Sequence, residues 1–247
     1  MRRIIVFGAT SAIAAEVCVR WAARGDRLHL VGRDAERLAG VVARCAGAEV
    51  TSGCGDFVDL ARAEALAAEG VAALGGAVDV ALVAHGDLGD QARSEHDVAE
   101  AARIVEVNLV SVLAVVVPLA NLLERQRGGT LAVITSVAGE RGRPRNYTYG
   151  AAKGALHVYL QGLRSRLYAA GVTVTTLKLG PVDTPMTAGH AKNRLFTTPS
   201  RAAAAIDRAV ERRRAVAFVP WYWRPILFVV RHTPEPLFQR LGFLSGR

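Results

Sequence analysis

Short apolar runs alternate with longer amphipathic stretches along the whole chain. "RIIVF" at 3–7 precedes a helical pattern over about 12–24, and "RLHLV" at 27–31 precedes another over about 34–45. "AEVTS" at 48–52 leads to an Ala/Leu-rich helix over 60–74, and "VDVALVA" at 78–84 to a long helical stretch over roughly 97–126. "GTLAVIT" at 129–135, a helix reaching about 170 and "GVTVTTLKL" at 171–179 follow. A loop-rich segment, an Ala-rich helix near 200–213 and a last strand, "RAVAFVP" at 214–220, complete the pattern. Strands and helices alternating at this spacing imply right-handed βαβ crossovers and an α/β fold with a doubly wound parallel sheet flanked by helices. No linker, low-complexity block or shift in composition divides residues 1–247, which predicts a single domain.

Composition narrows the partners. Half the residues are hydrophobic, with plentiful Ala and Gly, which suits helices packed closely on a sheet. The net charge of +9 comes almost entirely from 28 arginines against three lysines, Lys153, Lys178 and Lys192. Such a balance favours anionic partners: a phosphorylated cofactor, an acidic membrane surface or nucleic acid. The arginines are scattered, with only Arg212, Arg213 and Arg214 consecutive, so no nucleic-acid face is indicated. Cys18, Cys45 and Cys54 are odd in number and lack CxxC spacing, which argues against a disulfide framework or zinc site and for a reducing compartment. The six histidines show no HExxH-type pairing, and no metal is expected. The start, "MRRIIVFGATSAIAAEV", superficially resembles a signal peptide, but Glu16 makes strand, loop and helix the better reading. The longest apolar stretch, Leu109 to Ala120, is expected to be too short to span a bilayer and contains Pro118. The expected location is cytoplasmic.

In a doubly wound sheet, ligands bind beyond the carboxyl ends of the strands, where strand order reverses. The first βα turn is "GATSAIA", Gly8 to Ala14, where a dinucleotide fingerprint would put glycines at 8, 12 and 14. Ala12 and Ala14 replace the second and third, Thr10 and Ser11 add hydroxyls beside Ile13, and the helix start offers free N–H groups to an anion. Alone, this loop is equally a tight turn without a ligand. The second strand ends "LVGRD", with Gly32 where a ribose-binding acid would stand and Arg33 next. A guanidinium there can pair with a 2′-phosphate, which favours NADP(H) and leaves NAD(H) open. Arg33 is equally one surface arginine among many, and Asp34 beside it could partly neutralise it. Asp56, next to Phe57, can accept from an adenine amino group or serve as a turn residue, and Asp59 suits a helix cap.

"NYTYGAAKGA" at 146–155 sets Tyr149 four residues before Lys153, one helical turn apart on one face, among residues with almost no side chain. A fixed ammonium stabilises phenolate and is expected to bring the phenol's pKa down toward the working range, although an i,i+4 surface contact would look the same. Ser136 stands 13 residues earlier, at a strand's carboxyl end, where its hydroxyl could hold a carbonyl oxygen. Asn108, in "VEVNLVS", supplies an amide that could order a proton-relay water. Tyr147 is the rival phenol, at the wrong spacing.

The loop, Ser136, Tyr149, Lys153 and "GPVDTPM" together resemble the short-chain dehydrogenase/reductase family, with its Rossmann fold, over essentially the whole length. The resemblance implies that Tyr149 is the general acid/base, that Lys153 binds the nicotinamide ribose and lowers the Tyr149 pKa, and that Ser136 positions the substrate oxygen. It implies that Asn108 completes the relay and that Ala84, His85, Gly86, Gly180, Pro181, Val182 and Thr184 contact the cofactor. The family's Asn-Asn-Ala-Gly is here "VAHG", so His85 reads as a loop residue near cofactor, and its Pro-Gly is Leu179-Gly180, with Pro181 one place later. Residues 185–199 are the expected substrate loop, and a homodimer or homotetramer is the expected assembly.

"VAHGDLGDQ", "SVAGERGRPRNYTYGAAKGAL" and the tail "FVPWYWRPILFVVRHTPEPLFQRL" further resemble the actinobacterial decaprenylphosphoryl-2-keto-ribose reductases, which act on a keto sugar carried on a polyprenyl phosphate. In the 221–247 tail, Trp221, Tyr222, Trp223, Ile226, Leu227 and Phe228 offer an apolar surface, and Arg224 and Arg231 could meet phosphates or headgroups at the inner membrane face. The tail could equally pack over the substrate pocket or in a subunit interface. Arg141, Arg143 and Arg145 could hold a substrate phosphate or be solvated. The substrate is thus expected to be a small-molecule or lipid-linked ketone. Two other classes compete with this reading. A serine hydrolase lacks its GxSxG elbow around "TSVAG", and a non-catalytic NADP sensor would not need Ser136, Tyr149 and Lys153 together.

Overall fold

The computed structural model describes residues 1–189 and 191–242; His190 in the substrate loop and 243–247 in the tail lie outside the described residues. Seven parallel strands form one sheet: β1 (Arg3–Phe7), β2 (Arg27–Gly32), β3 (Val50–Cys54), β4 (Val80–Val83), β5 (Thr130–Ser136), β6 (Thr173–Leu179) and β7 (Val216–Val219). Their order is β3-β2-β1-β4-β5-β6-β7. Side chains on a strand alternate between faces, so β1 sends Ile4 and Val6 to one side and Ile5 and Phe7 to the other. The first face is covered by α1 (Ala12–Ala22), α2 (Ala35–Arg44) and α8 (Pro199–Glu211), through Trp21, Leu38 and Ile206. The second is covered by α3 (Leu60–Ala73), α6 (Ser111–Gln126) and α7 (Tyr147–Leu167), through Leu66, Leu119 and Leu160. Coverage on both faces explains why the central strands β1 (RIIVF) and β4 (VALV) are nearly all apolar.

Three differences from the sequence pattern have local causes. β3 starts at Val50 rather than 48, because its ladder begins where Val50 meets Leu28 of β2. The stretch expected as one helix over 97–126 is α5 (Val98–Val105), a π-turn at Glu106–Val110 and then α6, with a short α4 (Gln91–Ser94) before them. Joined, Val98–Gln126 is long and apolar enough to cross a membrane by length and composition, which corrects the expectation drawn from Leu109–Ala120. Its residues Val112, Val115, Val116, Leu119 and Leu123 are nevertheless buried in the core beneath the sheet. The tail forms two helices, α9 (Trp223–His232) and α10 (Glu235–Arg240).

Candidate active site

Strand order reverses between β1 and β4, and the cleft opens above that point. Gly8 follows β1 with φ of 77°, and a Cβ there would lie 2.6 Å from the His85 backbone nitrogen. Both the backbone conformation and the approach of the β4 loop therefore require glycine. α1 begins at Ala12, and the Ser11 side chain makes no capping bond, so the first N–H groups of α1 are free for an anion. Ala14 packs fully buried, so its methyl is absorbed by helix–sheet packing. The cleft measures about 680 Å³ and is lined by Gly8, Thr10, Ser11, Ala12, Ile13, Arg33, Asp56 and Phe57 at one end. Ala84, His85, Gly86, Ser136, Tyr149, Lys153, Gly180, Pro181, Val182 and Thr184 continue its wall. Asn108 is fully buried behind that wall.

At the first end, Arg33 has no side-chain partner among the described residues. Asp34 does not neutralise it: its carboxylate caps α2 by accepting from the Arg37 backbone N–H at 2.9 Å. The Arg37 guanidinium lines the same wall and donates to the Thr10 carbonyl at 3.1 Å, so a second cation that the sequence did not single out stands at the end of β2. Asp56 accepts from the Val58 N–H at 3.2 Å, and Asp59 caps α3 as expected.

At the other end, small residues dock two elements. Ser136 ends β5 and caps a 3-10 turn, Val137–Glu140, by accepting from the Ala138 N–H at 3.1 Å. That turn lies on α7: a Cβ on Gly139 would meet the Gly154 nitrogen at 2.7 Å, and one on Gly150 the Ala138 oxygen at 2.9 Å. The close-packed turn brings Ser136 beside Tyr149. A Cβ on Gly86 would lie 2.8 Å from Asn108 Oδ1 and 3.0 Å from Lys153 Nζ, so these three converge. Lys153 is buried and has no hydrogen bond or ion pair among the described residues; its ammonium stands 5.6 Å from the centre of the Tyr149 ring. Burial pushes it down to about 8.

Two expectations are corrected here. Burial pushes the Tyr149 phenol up to about 12, against a downward pull from Ser136, so the protein alone does not lower it. The cost of taking a phenolate out of water outweighs the pull of the Ser136 hydroxyl. Asn108 does not present a free amide: Nδ2 donates to the Asp87 and Ile104 carbonyls at 2.6 and 2.9 Å, and Oδ1 accepts from the Asp87 N–H at 3.2 Å. It clamps the loop after β4 onto the π-turn. His85 is held neutral, pushed down to about 3 by burial and then by the Lys153 and Arg33 charges, with Nε2 3.1 Å from the Ser111 hydroxyl. Tyr147 is 45 % exposed and does not line the cleft.

The tail closes the substrate end. Trp223 lies on Gly180, where a Cβ would fall 1.9 Å from the indole nitrogen, and packs with Leu227, Val230 and Phe238 on Val137. The apolar surface expected over 221–240 is therefore split, with these residues inward and Trp221, Phe228, Val229 and Leu237 outward. Arg141 is not a free anion ligand: it donates to the Val230 and Thr233 carbonyls, each at 2.6 Å, and pairs with Glu235. Arg231 is likewise committed to Glu140 at 3.0 Å. Glu140, with a side chain 2 % exposed, also holds Lys178 and His157. Burial alone would raise its carboxyl, but His157 and Lys178 hold it at about 2.

The cleft suits a dinucleotide. Besides the unpartnered Lys153, it is walled by His85, whose Nδ1 is buried without a hydrogen-bond partner. The strand-end cleft, the open α1 terminus and the Ser136–Tyr149–Lys153 cluster define an oxidoreductase of the dinucleotide-binding α/β class. Residues 2–195 match the short chain dehydrogenase family model, and the chain belongs to that family. It is 37% identical to an uncharacterised oxidoreductase of Mycobacterium tuberculosis over 241 residues, covering 96% of both chains. It is also 37% identical over 244 residues to an uncharacterised oxidoreductase in the mprA 5′ region of Streptomyces coelicolor, covering 97% of this chain and 96% of that one. Among solved structures, its fold is shared with levodione reductase (TM-score 0.80, 21% identity) and a variant of actinorhodin polyketide ketoreductase with NADPH (TM-score 0.79, 23% identity). In each case 88% of this chain and 95% of the other are covered.

Proposed function

We propose that this enzyme reduces a ketone to a secondary alcohol, with NADPH as the preferred hydride donor. The observation that carries the reading is Lys153: a buried ammonium without a protein partner, between Gly86 and the Tyr149 ring. Such a charge calls for a ligand to complete it. When bound, the reduced nicotinamide supplies the hydride to the carbonyl carbon. Ser136 holds the carbonyl oxygen, and Tyr149, protonated at neutral pH, gives that oxygen its proton and regains one from solvent. Asn108 acts indirectly, fixing the Gly86 loop against Lys153. The NADPH preference rests on Arg33 and Arg37 at the end of β2, with Asp34 spent on a helix cap, and the ketoreductase solved with NADPH lends it support. The test is direct: purified protein with NADPH and a ketone panel, followed by loss of the reduced-nicotinamide absorbance. Oxidation of NADPH with formation of the alcohol supports the reading, and no turnover across the panel opposes it.

A second reading, a keto sugar on a polyprenyl phosphate met at an anionic membrane surface, is favoured by the face beside the substrate loop. Arg194, Arg201, Arg208, Arg212, Arg214 and Arg224 line a groove there, without side-chain partners among the described residues. Trp221 and Phe228 stand exposed next to it. Binding to anionic vesicles that weakens with added salt supports this reading; indifference to vesicles opposes it.

A further inference from the structure

Arg143 is a cation that the fold places in the cleft and then leaves alone. It sits in the bend between the 3-10 turn after Ser136 and the start of α7. Its neighbour Arg141 is consumed in tying down the tail, and Arg145 lines the cleft from an exposed position. The Arg143 Nε is buried with no hydrogen-bond partner, and the guanidinium makes no ion pair among the described residues. Burial holds its pKa below the ordinary arginine value. It shares the cleft wall with Ser136, Tyr149 and Trp223.

No protein acid is placed to pair with it. Asp56 is the one carboxylate among the described residues that line the cleft, and it belongs to the β3 loop with Phe57 and Val58. A guanidinium partly withdrawn from water at Nε without a partner is costly, and an arriving oxyanion removes that cost through forked, charge-assisted hydrogen bonds. The free N–H groups of α1 offer the cofactor phosphates their own cradle on the other side of the strand reversal. The Arg143 bend lies instead on the Ser136 side, where a substrate carbonyl would be held.

We propose that Arg143 is an anion subsite of the substrate pocket, so that the ketone this enzyme reduces carries a carboxylate or phosphate that pairs with the guanidinium while its carbonyl meets Ser136 and Tyr149. This rests on the ketone-reductase reading and names the substrate class within it. Neutral ketones leave the half-buried guanidinium unpaired and are discriminated against on binding.

The experiment compares matched ketones with saturating NADPH: levulinate against its methyl ester, and dihydroxyacetone phosphate against dihydroxyacetone. In the wild type, kcat/KM is expected to favour the charged member of at least one pair by about 10- to 100-fold, the scale of a charge-assisted bond. In Arg143→Gln that ratio collapses towards one, chiefly through KM, and in Arg143→Lys it is partly restored. The preferred pair tells carboxylate from phosphate. Equal kcat/KM for both members of each pair in the wild type overturns the proposal. So does an equal loss for both members in Arg143→Gln, or a matching loss of NADPH affinity, which would make Arg143 a cofactor ligand. Calorimetric titration of the enzyme–NADP⁺ complex with levulinate and with inorganic phosphate separates this claim from the reductase reading. Should no ketone turn over, anion binding that Arg143→Gln abolishes still sustains the subsite, and absence of binding to the wild type refutes it.

Discussion

The cofactor end and the substrate end of the cleft are built on different principles. At the cofactor end, one tight turn, Gly8 to Ser11, leads directly into a helix whose first N–H groups are left free for an anion. At the substrate end, the wall is assembled from distant segments: Trp223 of the tail on Gly180, Arg141 on Val230 and Thr233 some ninety residues away, and Glu140 on Lys178 and Arg231. A local device survives changes elsewhere, whereas an assembled one depends on every anchor.

The largest expected effect falls where the two ends meet. Replacing Lys153 by Met should lower ketone reduction by about 10²-fold or more, the scale of a lost acid–base partner, and weaken NADPH binding as well. Steady-state kinetics with NADPH titration would reveal it, and wild-type rates would place the proton chemistry elsewhere. Next comes the substrate-end hub. Glu140→Gln should destabilise the protein by about 3 kcal/mol, as expected when one partner of a buried charged cluster is removed. The sign with pH follows from the lowered carboxyl. Stability from Glu140 is fully present above its ordinary value of 4.5 and is lost as pH falls towards about 2. Thermal melts of wild type and variant should therefore converge as pH falls through that range, and curves that stay parallel would count against the hub.

Smaller still is the effect at the cofactor end, because Arg33 is exposed. Arg33→Ala should weaken NADPH by about 1.5–3 kcal/mol and leave NADH nearly untouched, read by fluorescence titration of both. Equal losses would mean that Arg33 stacks on adenine without reading the 2′-phosphate. The smallest signal is spectroscopic. In the cofactor-free protein, the phenolate difference spectrum between wild type and Tyr149→Phe should not appear below about pH 10, because burial holds the phenol near 12. A midpoint below about 9 would restore the expectation of an activated phenolate in the free protein.

Legibility in the sequence follows the same division. The alternation of strands and helices, the first turn and the Tyr149–Lys153 spacing are local patterns that the structure follows, while the start of β3 and the break at Glu106–Val110 are not. Arg33 and Asp59 were equally local. What was hidden depended on contact between remote segments. Arg141 and Arg143 are two residues apart in one run of arginines, yet one is bound to the tail and the other stands unpaired in the cleft. The sequence left Trp223 open between an exposed surface and packing over the pocket until Gly180 received it, and Glu140 had no sequence signal to mark it as the anchor of β6 and α9. Asn108 carried a signal, but the π-turn that turns its amide onto the Asp87 backbone was not visible in an apolar helical pattern.

In the proposed reaction, Tyr149 gives its proton to a ketone oxygen as hydride arrives at the carbon. Tyr149→Phe keeps the ring and removes that proton. Hydride transfer, measured as single-turnover oxidation of bound NADPH with a ketone the wild type accepts, should fall by about 10²- to 10⁴-fold while NADPH binding stays close to the wild type. Retention of more than about half the wild-type rate would contradict the account, since a loss of about a hundredfold is the least that general acid catalysis of this kind predicts.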